Sequence, residues 1–177
     1  MTIVARVRTP ETRATMRHAL IDGHVTAFGL APSAERLACA LAMMCVEHAN
    51  GAAVWCHNFG NIDAGHDWAG DVFALTAQEV LGGEHVERTK MLRAYADAAT
   101  GAWGFWTFLA GAPRFAMALG AFDRGDPGGA AHGLKVGGWY TGSEVDYARA
   151  MVAIYGEVYA TVSEVGEGDP RQAPPLP

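Results

Sequence analysis

Glu47 is the residue whose setting could do chemistry. It closes the stretch from Ser33 to His48, where Leu37, Leu41, Met44 and Cys45 recur at helical spacing, and Asn50-Gly51 then stops the helix. A carboxylate in the last helical turn meets the negative end of the helix dipole. Neighbours such as Met43, Met44 and Val46 would also desolvate it. Both effects raise a carboxyl pKa, which a general acid working near neutrality needs. From position alone, a solvated glutamate at a helix end is the commoner reading.

The elements that must hold Glu47 can be read around it. Thr9-Pro10-Glu11 is a helix opening that predicts a helix to about Asp22, ended by Gly23. Pro32-Ser33-Ala34-Glu35 opens the helix of Glu47, one face of which should be buried. Residues 49 to 71, rich in Gly, Asn, His and Asp, read as a long loop. Two extended runs from Asp71 to Tyr95 flank Gly82-Gly83, a hairpin signal and the one convincing β element. A strongly apolar helix with Trp103, Trp106 and Leu109 ends at Gly111. Shorter helices follow over Arg114 to Phe122 and from Asp126-Pro127. Ser143-Glu-Val-Asp146 opens a last helix to about Val162. The fold class is α+β, mainly α: one helical domain over 1–162 with an inserted β-hairpin lobe, and a flexible Pro-rich tail over 163–177.

Composition narrows the classes. The chain has 177 residues, half of them hydrophobic and 18% charged, so it reads as globular. A net charge of −6 argues against a dedicated nucleic-acid binder. The apolar run from Leu37 to Val46 is far short of the roughly 20 residues that span a bilayer. No export signal is visible, because Arg6, Arg8, Glu11, Arg13, Arg17 and Asp22 interrupt the first thirty residues.

Several segments resemble one family. Pro32-Ser33-Ala34-Glu35-Arg36-Leu37-Ala38 leads into Ala42 to Glu47 and Gly51, and then His57-Asn58-Phe59-Gly60-Asn61-Ile62. Thr89 to Tyr95 ends in Arg93-Ala94-Tyr95, and Gly138-Trp139-Tyr140-Thr141 precedes Tyr147-Ala148. In this order and spacing, over about Ser33 to Tyr155, they are similar to the bacterial glucosaminidase family, the flagellar-muramidase-like branch of the lysozyme-like superfamily. His48-Ala49-Asn50 departs from the small and glycine-rich residues usual after the acid.

The resemblance implies a peptidoglycan hydrolase, a bacteriolytic glycosidase (N-acetylglucosaminidase or muramidase) or a lytic transglycosylase, active in cell wall degradation. Glu47 falls on the family's general acid, and Glu79 in the hairpin on its candidate second carboxylate. Glu79 would be a base for water or steady the sugar's positive charge; an exposed strand residue is the alternative. Tyr140 and Tyr147 are candidates for positioning the sugar or stabilising its cation, with groove-wall tyrosine the other reading for Tyr147. Asn58 and Asn61 could hydrogen-bond N-acetyl groups, though Asn in such loops is often turn chemistry. Trp68 and Trp139 are the candidate cleft residues, whereas Trp103 and Trp106 read as core. No cofactor is implied.

Two rival classes stay open. Cys45, His48, Cys56, His57 and His66 are metal-ligating types within a short stretch, but their irregular spacing favours a polar loop and no metal. The three cysteines, Cys39, Cys45 and Cys56, read as buried thiols, with a Cys45–Cys56 disulfide the alternative outside the cytoplasm. The other rival is a catalytically silent glycan-binding or structural module of a phage tail or a secretion or injection apparatus. For an enzyme, the missing signal implies reaching the wall (periplasm or extracellular) by phage-type lysis, injection or non-classical export.

Overall fold

The computed structural model describes residues 1–81 and 84–166, with side chains described outside 77–81, 85 and 164–166. Among the described residues six α-helices surround one main core: α1 (Arg13–Phe28), α2 (Ala34–Glu47), α3 (Ala98–Gly111), α4 (Ala116–Asp123), α5 (Pro127–Val136) and α6 (Glu144–Gly166). Between α2 and α3 the chain forms an antiparallel hairpin, β1 (Val72–Leu81) with β2 (Glu84–Arg93). Its register runs from Val72↔Arg93 to Leu81↔Glu84. Gly82 and Gly83, where the sequence places the turn, lie outside the described residues, as does the tail from 167. The observed class is the expected one, mainly α with a hairpin lobe.

The α2 helix is more deeply set than its pattern suggested. Every residue from Leu37 to Cys45 is buried, not one face. The reason is that α1, α4, α5 and α6 all pack against it, and a helix with neighbours on every side is apolar all round. Ser33 caps it, its Oγ accepting the Arg36 N–H at 3.2 Å. Glu47 is where this core helix comes out to the surface.

The first helix begins and ends later than the sequence suggested. Thr12, not Thr9, is the N-cap, in a reciprocal capping box with Thr15, and Gly29 at φ 77° ends the helix. Gly23 lies inside α1 as a packing residue: a Cβ there would come within 2.5 Å of the Trp103 backbone nitrogen, so the missing side chain lets α3 close on α1. Thr9 instead accepts the His57 N–H at 2.9 Å, tying the N-terminal segment to the loop after α2.

The α5 and α6 helices start at the expected caps, α3 is capped by Asp97, and α4 starts at Ala116 without a side-chain cap, after a 3-10 turn over Pro113–Phe115. Asp97, Asp126 and Ser143 accept the backbone N–H of Thr100, Gly129 and Asp146 at 2.8, 2.8 and 3.3 Å. The α6 helix continues to Gly166, past the expected end at Val162. Trp106 is fully buried, its indole donating to the Leu20 carbonyl at 2.8 Å. The hairpin base rests on a second small core of Cys56, Phe73 and Leu92. No helix among the described residues is long and apolar enough to cross a membrane.

Candidate active site

Glu47 ends α2 half-buried, and three side chains from two distant parts of the chain converge on it. Tyr147, in the first turns of α6, donates its phenol to Oε1 at 2.6 Å. Trp139, in the α5–α6 loop, donates its indole N–H to the same oxygen at 3.1 Å. Asn61, in the loop after α2, stands close enough to favour the ionised form as well. Burial pushes the carboxyl above its ordinary value, against Tyr147, Trp139 and Asn61, which favour the ionised form. The Tyr147 phenol is raised by burial and by Glu47, so it stays a proton donor to the carboxylate.

The loop after α2 is shaped for this convergence. Ala49, Asn50, Cys56, His57 and Asn61 all take left-handed backbone angles, with φ between 47° and 57°. Gly60, at φ 101°, does more. A Cβ there would meet the Trp139 ring at 2.8 Å, so its absence lets the indole lie flat on the loop and reach Glu47. Behind it Trp139 packs edge-on against Phe105 and Phe115, with ring centroids 6.2 and 5.4 Å away. His48 holds the loop to the helix end. Its Nε2 accepts the Gly60 N–H at 3.0 Å, which leaves the proton on Nδ1, 3.4 Å from the Ala53 carbonyl oxygen. Burial lowers this imidazole to about 4, so it is neutral.

Two open cavities share the Tyr140–Gly142 segment. One, about 430 Å³, is lined by Glu47, Tyr147 and Asp146. The other, about 570 Å³, is floored by Trp139, Phe108 and Phe115 and edged by Asn61, Arg93 and Arg114. Glu47 and its Asn61 and Trp139 partners stand where these two meet. A carboxyl whose proton affinity burial raises, set between two halves of an aromatic-walled groove, can donate a proton to an extended substrate lying along both.

The candidates from sequence separate here. Glu47, Asn61, Trp139, Tyr140 and Tyr147 are brought together. Tyr147 rather than Tyr140 touches the acid: the Tyr140 hydroxyl donates to the Ala131 carbonyl at 3.0 Å, turning into α5. Its ring stacks on Tyr147 at 3.9 Å and forms wall, and Lys135 Nζ sits 5.2 Å from that ring. Asn58 is 1% exposed, and its amide is consumed inside the protein. It donates to the Ile62 and Arg93 carbonyls at 3.0 and 2.9 Å and accepts the Ile62 N–H at 2.9 Å, so it is turn chemistry rather than a sugar contact.

Trp68 stands behind the groove rather than in it. Its indole donates to the Asp71 carbonyl at 2.9 Å, and its ring lies 4.5 Å from the Arg93 guanidinium. Glu79 pairs with Val86 in the hairpin backbone, and its side chain lies outside the described residues. Cys45, His48, Cys56, His57 and His66 do not assemble: among the described residues no three His, Cys, Asp or Glu side chains group to hold a metal ion. Cys39, Cys45 and Cys56 are free and buried.

Sequence reasoning gave Arg93 and Lys90 no role beyond their motif and did not reach Arg114 or Phe108; all four line the larger cavity. Arg93 and Lys90 both lie in the Thr89–Tyr95 segment; Arg114 and Phe108 had no signal as groove residues, because only the tertiary fold sets them beside the hairpin.

No protein-family model matches the sequence, and no curated protein matches it. Solved structures do match in shape. A peptidoglycan hydrolase mutant from Sphingomonas sp. A1 superposes with a TM-score of 0.66 at 20% identity, covering 87% of this chain and 99% of that one. The peptidoglycan hydrolase from the same organism gives 0.62 at 19%, covering 94% and 100%. The glycoside hydrolase domain of Salmonella typhimurium FlgJ gives 0.58 at 16%, covering 87% and 90%. This chain thus has the lysozyme-like α+β fold shared by these peptidoglycan hydrolase and glycoside hydrolase domains.

Proposed function

We propose that the protein is a glycosidase that cleaves the glycan strands of peptidoglycan, with Glu47 as the general acid. The observation that carries the reading is the state of Glu47: a carboxyl raised by burial, at the junction of two groove halves, held in one orientation by Tyr147 and Trp139. Shape similarity to solved peptidoglycan hydrolases along nearly their whole length agrees with it.

The chemistry follows from the geometry. Protonated Glu47 gives its proton to the glycosidic oxygen as the bond from that oxygen to the anomeric carbon breaks. Positive charge develops on the ring that keeps the anomeric carbon, while the other sugar leaves with the protonated oxygen as its hydroxyl. The carboxylate left behind is stabilised by the phenol of Tyr147, the indole N–H of Trp139 and the side chain of Asn61. Tyr140 and Trp139 offer aromatic surface for the sugars on either side. For the second carboxylate, activating water or steadying the cation, the family resemblance offers Glu79, with an exposed strand residue the alternative.

The test is release of fragments from peptidoglycan sacculi by the wild type and by Glu47→Gln, read by mass spectrometry. Wild-type release that the folded variant loses by 10²-fold or more supports the acid role, given the ~10²–10⁴ that general acids contribute. A reducing end marks hydrolysis and an anhydro end marks transglycosylation. If the wild type releases nothing yet sediments with sacculi, the protein is a binding module and Glu47 an ordinary helix-end carboxylate.

A further inference from the structure

The larger groove half carries charge that cleavage of a neutral sugar chain does not require. Among the described residues that line it, Arg93 and Arg114, with Lys90 beside them, face one acid, Asp63, in a chain whose net charge is −6. The three cations come from unrelated places: two from β2, near the base of the hairpin, and one from the turn of Pro113–Phe115 before α4. Arg93 is held rigidly. Its guanidinium lies between two aromatic rings, 4.5 Å from Trp68 and 5.2 Å from Phe108, and its Nε donates to the Asp63 carbonyl at 3.2 Å.

Arg114 is exposed, and its guanidinium lies over the Phe115 ring at 4.7 Å. It makes no hydrogen bond or ion pair with the described residues, so at the groove lining its donors are open to a ligand. An arginine fork fits a carboxylate with two parallel hydrogen bonds.

The geometry points to a carboxylate-binding subsite in this half of the groove, built on Arg114 and Arg93, that selects glycan strands bearing acidic substituents over neutral ones. This rests on the glycan-cleaving reading above and adds a substrate class to it. Two sources supply such a carboxylate on a peptidoglycan strand. One is the lactyl ether of a muramic acid stripped of its peptide. The other is the free acids of an attached stem peptide.

The experiment measures affinities of soluble probes for the Glu47→Gln protein, which binds without cutting. The probes are a neutral chitotetraose, a peptide-stripped muro-oligosaccharide of equal length, and its peptide-bearing form with carboxyls free or amidated. An acidic probe should bind about two- to fivefold more tightly than chitotetraose, the ratio expected of one partly exposed charge pair. Adding Arg114→Gln should bring that ratio close to one, as should about 0.5 M salt, while Arg114→Lys should keep part of it. The stripped probe alone showing the preference names the lactyl acid. A preference confined to the free-acid peptide form names the stem peptide.

A ratio near one in the starting protein, or a ratio that Arg114→Gln leaves unchanged, overturns the subsite. If the wild type still releases fragments from sacculi in that case, glycan cleavage stands and only the carboxylate selection falls. If no probe binds and sacculi stay intact, both fall together.

Discussion

Replacing Tyr147 by Phe removes one hydroxyl and leaves the ring that stacks on Tyr140 at 3.9 Å. The hydroxyl lost is the 2.6 Å donor to Glu47 Oε1, a short bond to a half-buried carboxylate. Hydrogen bonds to charged groups of this kind stabilise the ionised form by about 1.5–3 kcal/mol. At about 1.4 kcal/mol per pH unit, its loss raises the Glu47 pKa by about 1–2 units above a value that burial has already lifted. The acid must be protonated to work, so the alkaline limb of kcat/KM against pH follows this pKa. That limb, measured from initial rates of dye release from labelled sacculi at low substrate, should move about 1–2 units to higher pH in Tyr147→Phe. A limb that stays in place, or moves to lower pH, in a folded variant refutes Tyr147 as the group that tunes Glu47.

Glu47→Gln should melt at a higher temperature than the wild type at neutral pH. Burial makes the folded protein hold the Glu47 proton more tightly than the unfolded chain, so wild-type stability falls as pH rises above 4.5 through the raised value, while Gln has no proton to lose. The two melting curves should therefore converge below about pH 4.5. Asn58→Ala should cost about 3 kcal/mol in urea unfolding, because it leaves buried partners at Ile62 and Arg93 unsatisfied. Asn61→Gly, by contrast, suits the φ of 52° and should change stability by less than about 1 kcal/mol while shifting the alkaline limb upward. Gly60→Ala should lower stability by about 2–3 kcal/mol and reduce kcat/KM together, since a Cβ at φ 101° displaces the Trp139 indole from Glu47.

Much of this protein is local and therefore legible in one dimension. Helix caps at Ser33, Asp126 and Ser143 use hydrogen bonds three residues long, and the two strands of the hairpin show in the sequence as extended runs either side of Gly82-Gly83, so each was visible without knowing the fold. Glu47 was visible for the same reason, as a carboxylate at the end of an apolar helix. Where a local signal had two readings, tertiary contact chose between them. Gly23 looked like a helix stop, yet it serves the close approach of α3, and α1 runs on to Phe28. Asn58 and Asn61 looked alike in sequence. One turns inward to Ile62 and Arg93 and the other toward Glu47, a difference set by a left-handed backbone at Asn61.

The partners of Glu47 belong wholly to the second kind. Tyr147 and Trp139 stand 100 and 92 residues away along the chain and reach the carboxylate because α6 packs against α2 and Gly60 leaves room for an indole. Tyr140, one residue beyond Trp139, is carried by the same loop to the Ala131 carbonyl instead. Arg93 and Arg114 share a groove only because the hairpin base and the turn before α4 flank the same aromatic floor. Helices, hairpin and an acid at the end of an apolar helix can be read along the chain, because those depend on contacts a few residues long. That acid's hydrogen-bond partners and the charge of its groove come only with the packed fold, because proton affinity and recognition depend on groups close in space and far apart in the chain.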